Sequence, residues 1–359
     1  MQPVSAVIHI GLAKTGTSTI QHFLYDNRRL LAEQGFLYPL SVMNTNLSFH
    51  SHHMLAYNRL CRRDFEALRR ELQETGLPHL IISAENLQAL LTTTDQIGAL
   101  RDFLERLGFA QVRIIIYLRQ VQSLFISMCS QNVKNGHLPP YAHLPPQDNA
   151  EMLALADFRT TLSRWGEVFG RGQLCVRLFE RGAFCQGDLL RDFCQAAGLQ
   201  WDGRFACPSL KNESLNLLEM ELLERINHLR KGCVDFTDNP KHDLYTRMHR
   251  HLGRLSADSQ LRFRPPRELL QAYAERFEDS CRWTQDTFFP GHGEPFAPMD
   301  LQDYRENCEL RDMKPEYWRQ LAAFIYDLAA HNEELMHRLE ELEAELQSVS
   351  AAAGVHRHD

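Results

Sequence analysis

A glycine-bounded loop with a lysine inside it is the strongest chemical signal in the sequence. It follows an apolar run at residues 4–10 and precedes an amphipathic, helix-like pattern. A strand that leads into such a loop and then into a helix directs backbone N–H groups and the helix N-terminus at one point. The sequence therefore predicts an anion site at Gly11 and at Lys14, Thr15, Gly16, Thr17 and Ser18.

The two glycines have the spacing of a P-loop, but the lysine is displaced. A P-loop lysine follows the second glycine directly. Thr17 occupies that place here, and Lys14 lies two residues before Gly16. A kinase or NTPase also holds Mg²⁺ with a loop hydroxyl and an aspartate at a strand end. Ser18 could supply the loop hydroxyl, but no predicted strand ends in aspartate. A P-loop-type kinase or NTPase acting on a small molecule is therefore the alternative function and not the favoured one.

Short apolar runs and amphipathic patterns alternate along the first part of the chain. The runs predict buried strands at residues 4–10, 79–83, 112–118 and 174–179. The amphipathic patterns predict helices at residues 17–33 and 95–107. Continuous apolar runs suit a parallel sheet that is covered on both faces. We therefore expect an α/β fold with an open parallel sheet flanked by helices.

An arginine follows one of these predicted strands directly. Arg119 comes after the run at residues 112–118, and Ser127 lies eight residues further on. The carboxyl end of a parallel strand faces the ligand crevice of an open α/β sheet. Because a guanidinium matches phosphate oxygens in a bidentate way, Arg119 is a candidate phosphate ligand.

The loop and the Arg119–Ser127 pair together resemble the two nucleotide-binding elements of sulfotransferases that use 3′-phosphoadenylyl sulfate (PAPS). The resemblance covers about residues 4–300 and is closest to bacterial and Golgi-type carbohydrate sulfotransferases. It implies a P-loop-like sulfotransferase domain over residues 1–300, with the 5′-phosphosulfate in the loop and the 3′-phosphate on Arg119 and Ser127. The family often has proline after the arginine and tyrosine two residues past the serine, where this chain has Gln120 and Cys129.

Two places compete for the base that would take a proton from the acceptor hydroxyl. In the family, an acid or a histidine lies just past the strand between the two nucleotide elements, and Glu85 has that position here. The second place is a histidine cluster in which His52 or His53 would face the acceptor, as in related bacterial enzymes. The spacing of His50, His52 and His53 does not put three ligands on one helix face, so no metal is expected.

The sequence thus favours an enzyme that moves a sulfuryl group from PAPS to an acceptor hydroxyl. A carbohydrate is the acceptor that the resemblance favours, with a lipid, a phenol or another metabolite as alternatives. Fold and donor loop leave the acceptor open, because acceptor choice depends on loops. A non-catalytic protein that oligomerises and keeps a vestigial fold is a third class.

Residues 301–359 are predicted to form a helical extension with a heptad segment at residues 321–346. The a and d positions of that segment are Leu321, Ile325, Leu328, Asn332, Leu335, Leu339, Leu342 and Leu346. A single asparagine at an a position fixes register in parallel dimers, and Arg338 at g can pair with Glu343 at e of a partner. The pattern indicates either a homodimeric coiled coil or an amphipathic helix that docks on its own domain.

Composition bears on whether the protein binds nucleic acid, enters a membrane or forms disulfides. The 359 residues carry 46 acidic and 39 basic side chains, a net charge of −7, which gives no overall basic field for nucleic acid. No apolar run approaches the ~20 residues of a membrane span, and the N-terminus lacks the pattern of a signal peptide. Nine cysteines without a C-x-x-C pair indicate reduced thiols in a cytoplasmic protein.

Overall fold

A five-stranded, all-parallel β-sheet forms the centre of the α/β part of this computed structural model. The structure describes residues 4–43, 50–53, 55, 60–137, 139–208, 214–229, 240–291 and 293–355. In chain order the strands are β1 (Ser5–His9), β2 (Phe36–Leu37), β3 (His79–Ser83), β4 (Gln111–Leu118) and β5 (Leu174–Leu178). Their order across the sheet is β2-β3-β1-β4-β5, which confirms the predicted α/β fold class.

Helices connect the strands and continue to the C-terminus. They are α1 (Thr17–Asp26), α2 (Arg28–Glu33), α3 (Arg62–Thr75), α4 (Asn86–Leu90), α5 (Thr94–Arg106), α6 (Val121–Asn135), α7 (Ala150–Ala156), α8 (Phe158–Phe169), α9 (Leu189–Ala197), α10 (Leu217–Leu229), α11 (Pro240–Leu252), α12 (Arg267–Phe288) and α13 (Pro315–Val355). Among the residues that the structure describes, no helix is long and apolar enough to cross a bilayer.

The register of the sheet aligns the carboxyl ends of its central strands. His9, the last residue of β1, is paired with Ser83 on β3 and with Ile115 on β4. The loops that follow β1 and β3 therefore leave the sheet side by side. Any functional side chains just past these ends are brought together by strand pairing alone.

The first helix is fixed to the sheet by a buried apolar face. Ile20, Phe23 and Leu24 of α1 are fully buried in a cluster that also contains Ile115 of β4 and Phe193 of α9. Full burial of such a side chain contributes about 1.5–3 kcal/mol each. This packing holds the start of α1 against the end of β1.

The helical pattern at residues 17–33 is interrupted at Asn27, which separates α1 from α2. Its side-chain amide donates to the carbonyl of Phe23 and to that of Ala206, and its carbonyl oxygen accepts from the N–H of Ala206. An asparagine that bonds backbone groups in this way competes with the helical ladder. The helix therefore breaks at Asn27 because its side chain binds Ala206, which is distant in sequence.

The chain divides into two compact units. The first comprises Met1–Met128, His143–Glu213 and Arg267–Tyr304 and contains the sheet. The second comprises Cys129–Ala142, Ser214–Pro266 and Arg305–Asp359 and is helical. The domain boundary between residues 300 and 301 stays a prediction.

Within the second unit, the start of α13 is bound to the rest of that unit by polar and apolar contacts. Asp258 accepts hydrogen bonds of 2.6 Å from both the Lys314 ammonium and the Tyr317 hydroxyl. Asp327 pairs with Arg247 of α11 at 3.2 Å, and Phe324 is 3% exposed. The predicted C-terminal helix is thus present, and its first third is packed.

Candidate active site at the carboxyl edge of the sheet

The loop after β1 lies directly against the end of β3. Gly11 has φ +106°, and a Cβ added there would approach the Cα of Glu85 to 3.0 Å. The carbonyl of Gly11 also accepts from the N–H of Tyr117 on β4 at 3.2 Å. Because the backbone that follows β3 passes so close and φ is positive, only glycine fits at this position.

The second glycine of the loop sits under two apolar side chains. Gly16 has φ +76°, and a Cβ there would collide with Leu189 of α9 and approach the Phe179 ring to 3.1 Å. Lys14 is also left-handed, at φ +63°. The Thr15 hydroxyl is buried and donates to the carbonyl of Leu12 at 2.6 Å, which closes the turn. Gly16 is followed directly by the N-terminus of α1, as the sequence predicted.

Two cations meet at the loop. The Arg119 guanidinium, just past β4, donates to the backbone carbonyl of Lys14 at 3.1 Å and lies 5.7 Å from the centre of the Phe179 ring. Burial lowers the pKa of Lys14; Glu85 opposes this shift and Arg119 adds to it. Burial likewise lowers the pKa of Arg119. The site therefore holds two partly desolvated cationic groups, whose charged forms a bound anion would stabilise.

A carboxylate is bonded to the same loop. The Thr17 hydroxyl in the first turn of α1 donates a short hydrogen bond to Oε2 of Glu85. Glu85 is half-buried and precedes α4. The structure thus brings Lys14, Thr17, Glu85 and Arg119 together from three neighbouring strand ends. Their roles toward a ligand stay predictions.

The two candidate histidines have different surroundings. His52 is fully buried; its Nδ1 accepts from the N–H of Ser83 at 3.1 Å, and Nε2 lies 2.9 Å from the carbonyl of Pro39, to which it donates in that tautomer. Burial lowers its pKa to about 4. Both ring nitrogens of His52 are therefore engaged with backbone groups, which suits a neutral, positioning side chain.

His53 has a direct electrostatic link to the carboxylate. Burial lowers its pKa, and the charge of Glu85 acts in the opposite direction. His53 therefore lies near enough to Glu85 to sense its charge, whereas His52 holds the segment in place. Of the two histidines, His53 is the one whose pKa the charge of Glu85 affects.

Two other residues predicted to bind the sulfuryl donor, Ser18 and Ser127, lie on α1 and α6. Ser18 is half-buried in the first turn of α1, and its carbonyl accepts from Nδ1 of His22 in the tautomer that donates there. Ser127 is 6% exposed within α6. Contact of either side chain with a nucleotide stays a prediction.

The structure adds a buried histidine that the sequence analysis passed over. His9 ends β1 with no exposure; its Nδ1 lies 2.8 Å from the Ser83 hydroxyl, and its Nε2 has no hydrogen-bond partner in the described residues. Burial lowers its pKa to about 3. The signal in the sequence is a histidine inside an apolar run that leads into a glycine loop.

Ser83 links these histidines beneath the candidate carboxylate. Its hydroxyl contacts His9, its N–H donates to His52, and its carbonyl accepts from the N–H of His52 at 3.0 Å. Glu85 lies two residues beyond Ser83. The network fixes the end of β3 and, with it, the backbone that carries Glu85.

In the part of the chain that the structure describes, no three His, Cys, Asp or Glu side chains are grouped as metal ligands. The nearby histidines are engaged in other contacts: the His50 ring stacks on Tyr25 at 3.6 Å between ring centres.

Comparison with known proteins finds similarity to an archaeal protein and to a bacterial sulfotransferase structure. No family model matches the chain. An uncharacterized protein from Archaeoglobus fulgidus is 26% identical over 150 residues, which is 41% of this chain and 38% of that relative. The crystal structure of a sulfotransferase from Alicyclobacillus acidocaldarius aligns with 64% of this chain and 94% of its own, at 18% identity and a TM-score of 0.38.

Proposed function

We propose that this protein is a sulfotransferase that moves a sulfuryl group from PAPS to an acceptor hydroxyl. The observation that carries the proposal is the pairing of Lys14 and Arg119 at the carboxyl edge of the sheet, next to a carboxylate. Two partly desolvated cations there suit a ligand with several negative charges. The loop motif and the Arg119–Ser127 spacing, which resemble those of PAPS-dependent enzymes, support the choice of donor.

On the donor side, the loop from Lys14 to Ser18 would hold the 5′-phosphosulfate with backbone N–H groups and hydroxyls. Arg119 and Ser127 would hold the 3′-phosphate. Lys14 would neutralise the charge that grows on the phosphate oxygen as the bond from that oxygen to sulfur breaks. These fixed donors supply the electrostatic stabilisation from the chain's own residues.

On the acceptor side, Glu85 would take the hydroxyl proton while the acceptor oxygen forms its bond to sulfur. The sulfuryl group then belongs to the acceptor, and adenosine 3′,5′-bisphosphate leaves with the oxygen that bridged phosphorus and sulfur. The contact of Glu85 with Thr17 supports this role, since it holds the carboxylate beside the donor loop. His53 would orient the acceptor, and His52 would position His53.

A carbohydrate is the acceptor class that we propose. Its support is the closeness of the loop and Arg119 motifs to those of carbohydrate sulfotransferases. A screen of sugars, phenols and lipids with radiolabelled PAPS tests it directly. Transfer to sugars alone supports the acceptor class, whereas transfer to phenols or lipids alone overturns it and leaves sulfuryl transfer intact.

A P-loop-type kinase is the second candidate, and the hydrogen bond between Thr17 and Glu85 is what favours it. A loop hydroxyl beside a carboxylate at a strand end is the arrangement that holds Mg²⁺ in such enzymes. Isothermal titration separates the two functions. The sulfotransferase should bind adenosine 3′,5′-bisphosphate without Mg²⁺ and much more tightly than ADP. Mg²⁺-dependent binding of ATP and ADP, with no preference for the 3′-phosphate, would establish the kinase instead.

A further inference from the structure

The long C-terminal helix exposes an unusual amount of apolar surface. In the described residues, thirteen large apolar side chains are exposed, and nine of them lie on α13. The nine are Trp318, Ile325, Tyr326, Leu335, Met336, Leu339, Leu342, Leu346 and Val349. A soluble surface rarely collects apolar groups on one element without a partner for them.

Seven of these nine side chains fall on two rows with a seven-residue period. The a row contains Trp318, Ile325, Asn332, Leu339 and Leu346, and the d row contains Leu321, Leu328, Leu335, Leu342 and Val349. Leu335, Leu339, Leu342 and Leu346 are 46–67% exposed. The exposed rows extend the heptad segment predicted at residues 321–346 by one position in each direction. A strict a/d repeat specifies packing against another helix of the same repeat.

The helix docks on its own unit through a different face. Tyr317 and Phe324, which are 1% and 3% exposed, lie seven residues apart at g positions. Asp327, near the same face, pairs with Arg247 of α11. The a row is exposed even along this docked part, at Trp318 and Ile325. Docking within the unit therefore leaves the a row exposed, whereas the d row is half-buried at Leu321 and Leu328 and exposed from Leu335 onward.

We propose that the a/d seam of α13 packs against the same seam of a second copy of this chain, as a parallel two-stranded coiled coil. A two-fold pair buries identical leucines against each other, and the surface complementary to the seam is present on this helix itself. In the parallel arrangement Asn332 meets Asn332 of the other copy and satisfies its amide. In an antiparallel pair a positions face d positions, so Asn332 would oppose an apolar side chain.

Charge at the edges of the seam agrees with the parallel arrangement. Arg338 at g faces Glu343 at e of the second helix, and the dimer contains this pair twice. In the single chain Arg338 instead contacts Glu341 at 2.7 Å on the same helix, where both side chains are exposed. Exchange of one exposed pair for another costs little, so the apolar seam supplies the association energy.

Sedimentation equilibrium of the full-length chain tests the proposal. We expect a dimer at micromolar concentration and a monomer for the double variant Leu335→Glu/Leu342→Glu, with the dissociation constant raised at least ~100-fold. Tyr326→Glu is the matched control, because Tyr326 is 77% exposed on the same helix but lies off the seam. It should remain dimeric. Circular dichroism confirms that each variant is folded.

Cross-linking tests the orientation. Asn332→Cys should give a disulfide-linked dimer under mild oxidation, because in a parallel, in-register pair the two positions face each other. Tyr326→Cys should give no more cross-linked dimer than the natural chain, which supplies the background from its own cysteines. The proposal is overturned if the natural chain is monomeric or if the double leucine variant is still dimeric. It is also overturned if the Asn332→Cys variant gives no specific cross-link.

Discussion

Arg119 is placed where its charge adds to the effect of burial and destabilises the charge of Lys14. Burial lowers the pKa of both side chains, and the charge of Arg119 lowers that of Lys14 further. The guanidinium nevertheless stays beside the loop, because it donates to the carbonyl of Lys14. A bound anion would relieve this repulsion, which agrees with the proposed donor site.

Replacement of Arg119 by Ala should weaken binding of adenosine 3′,5′-bisphosphate. A hydrogen bond to a charged group contributes about 1.5–3 kcal/mol, which corresponds to ~10- to 150-fold in affinity. Isothermal titration measures this change. Arg113→Ala is a matched control, because Arg113 lies on the same strand, roughly 20 Å away at the other end, where it donates to the Ala196 carbonyl. Equal loss in both variants would remove Arg119 from the site.

Lys14→Ala should mainly affect turnover. Its charge matters most as negative charge grows on the leaving phosphate oxygen, and loss of one such contact costs on the order of 10²–10³-fold. Single-turnover measurements with bound donor separate this loss from the modest loss of donor affinity. A Lys14→Ala variant with natural turnover would contradict the electrostatic role.

Glu85→Gln should lower turnover ~10²–10⁴-fold and leave nucleotide affinity nearly unchanged, since the amide keeps its shape but accepts no proton. Glu180→Gln is the control, because Glu180 is an exposed carboxylate past β5 at the same edge of the sheet. If Glu85→Gln is active and His53→Asn is not, the base is the histidine. His52→Asn should act through position, with a higher KM for the acceptor.

Two buried histidines should make folding stability depend on pH. Burial lowers the pKa of His9 to about 3 and that of His52 to about 4, from 6.5 in the unfolded chain. Below pH 6.5 the unfolded state therefore binds more protons, and stability falls as pH decreases toward about 4. The slope is ~1.4 kcal/mol per pH unit for each histidine. Urea unfolding at several pH values should show it, and His9→Gln should remove about half.

The sequence indicated the charged residues of the site but not the network beneath them. Lys14, Glu85 and Arg119 each follow an apolar run closely, so parallel strand pairing was enough to predict that they meet. His9, Ser83 and His52 interact through the register of β1 and β3 and through backbone groups of Pro39 and Ser83. No regular spacing of residues along the chain predicts such contacts.

At the scale of elements, the loop between β1 and α1 depends on its second glycine for two reasons. Gly16 has φ +76°, and α9 and Phe179 leave no room for a Cβ. Gly16→Ala should therefore displace the loop and weaken nucleotide binding at least ~10-fold. Gly198→Ala separates the two causes, because Gly198 has φ +77° with no atom within 4 Å of an added Cβ. It should lose about 1–2 kcal/mol of stability in urea unfolding and bind nucleotide normally.

The elements were predictable where one pattern determined them. The four predicted strands are confirmed within one or two residues; the apolar runs of β1, β3 and β4 are mostly buried, and that of β5 is half-buried after Leu174. The two-residue strand β2 was missed, since Phe36–Leu37 is too short to carry a pattern. The single helix predicted at residues 17–33 was wrong at Asn27, whose partner Ala206 lies far away in sequence.

For the whole molecule, the heptad repeat could be read from the sequence, but its exposure could not. The sequence left open whether the apolar stripe docks on its own domain or on a second chain. The structure shows that Tyr317 and Phe324 are buried within the second unit, while the a/d seam is exposed from Leu335 onward. The repeat alone does not show which side of the helix packs within the unit, because the buried g residues and the exposed a residues lie on the same stretch of helix.

The hydrogen bond between Thr17 and Glu85 has a consequence for the order of substrate binding. Oε2 of the proposed base accepts a hydrogen bond from the hydroxyl of Thr17 in the first turn of α1. A donor that recruits this hydroxyl removes a hydrogen bond that lowers the basicity of the carboxylate, so the acceptor meets a stronger base once the nucleotide has bound. Steady-state kinetics should then favour a sequence with PAPS first, in which adenosine 3′,5′-bisphosphate inhibits competitively against PAPS and noncompetitively against the acceptor.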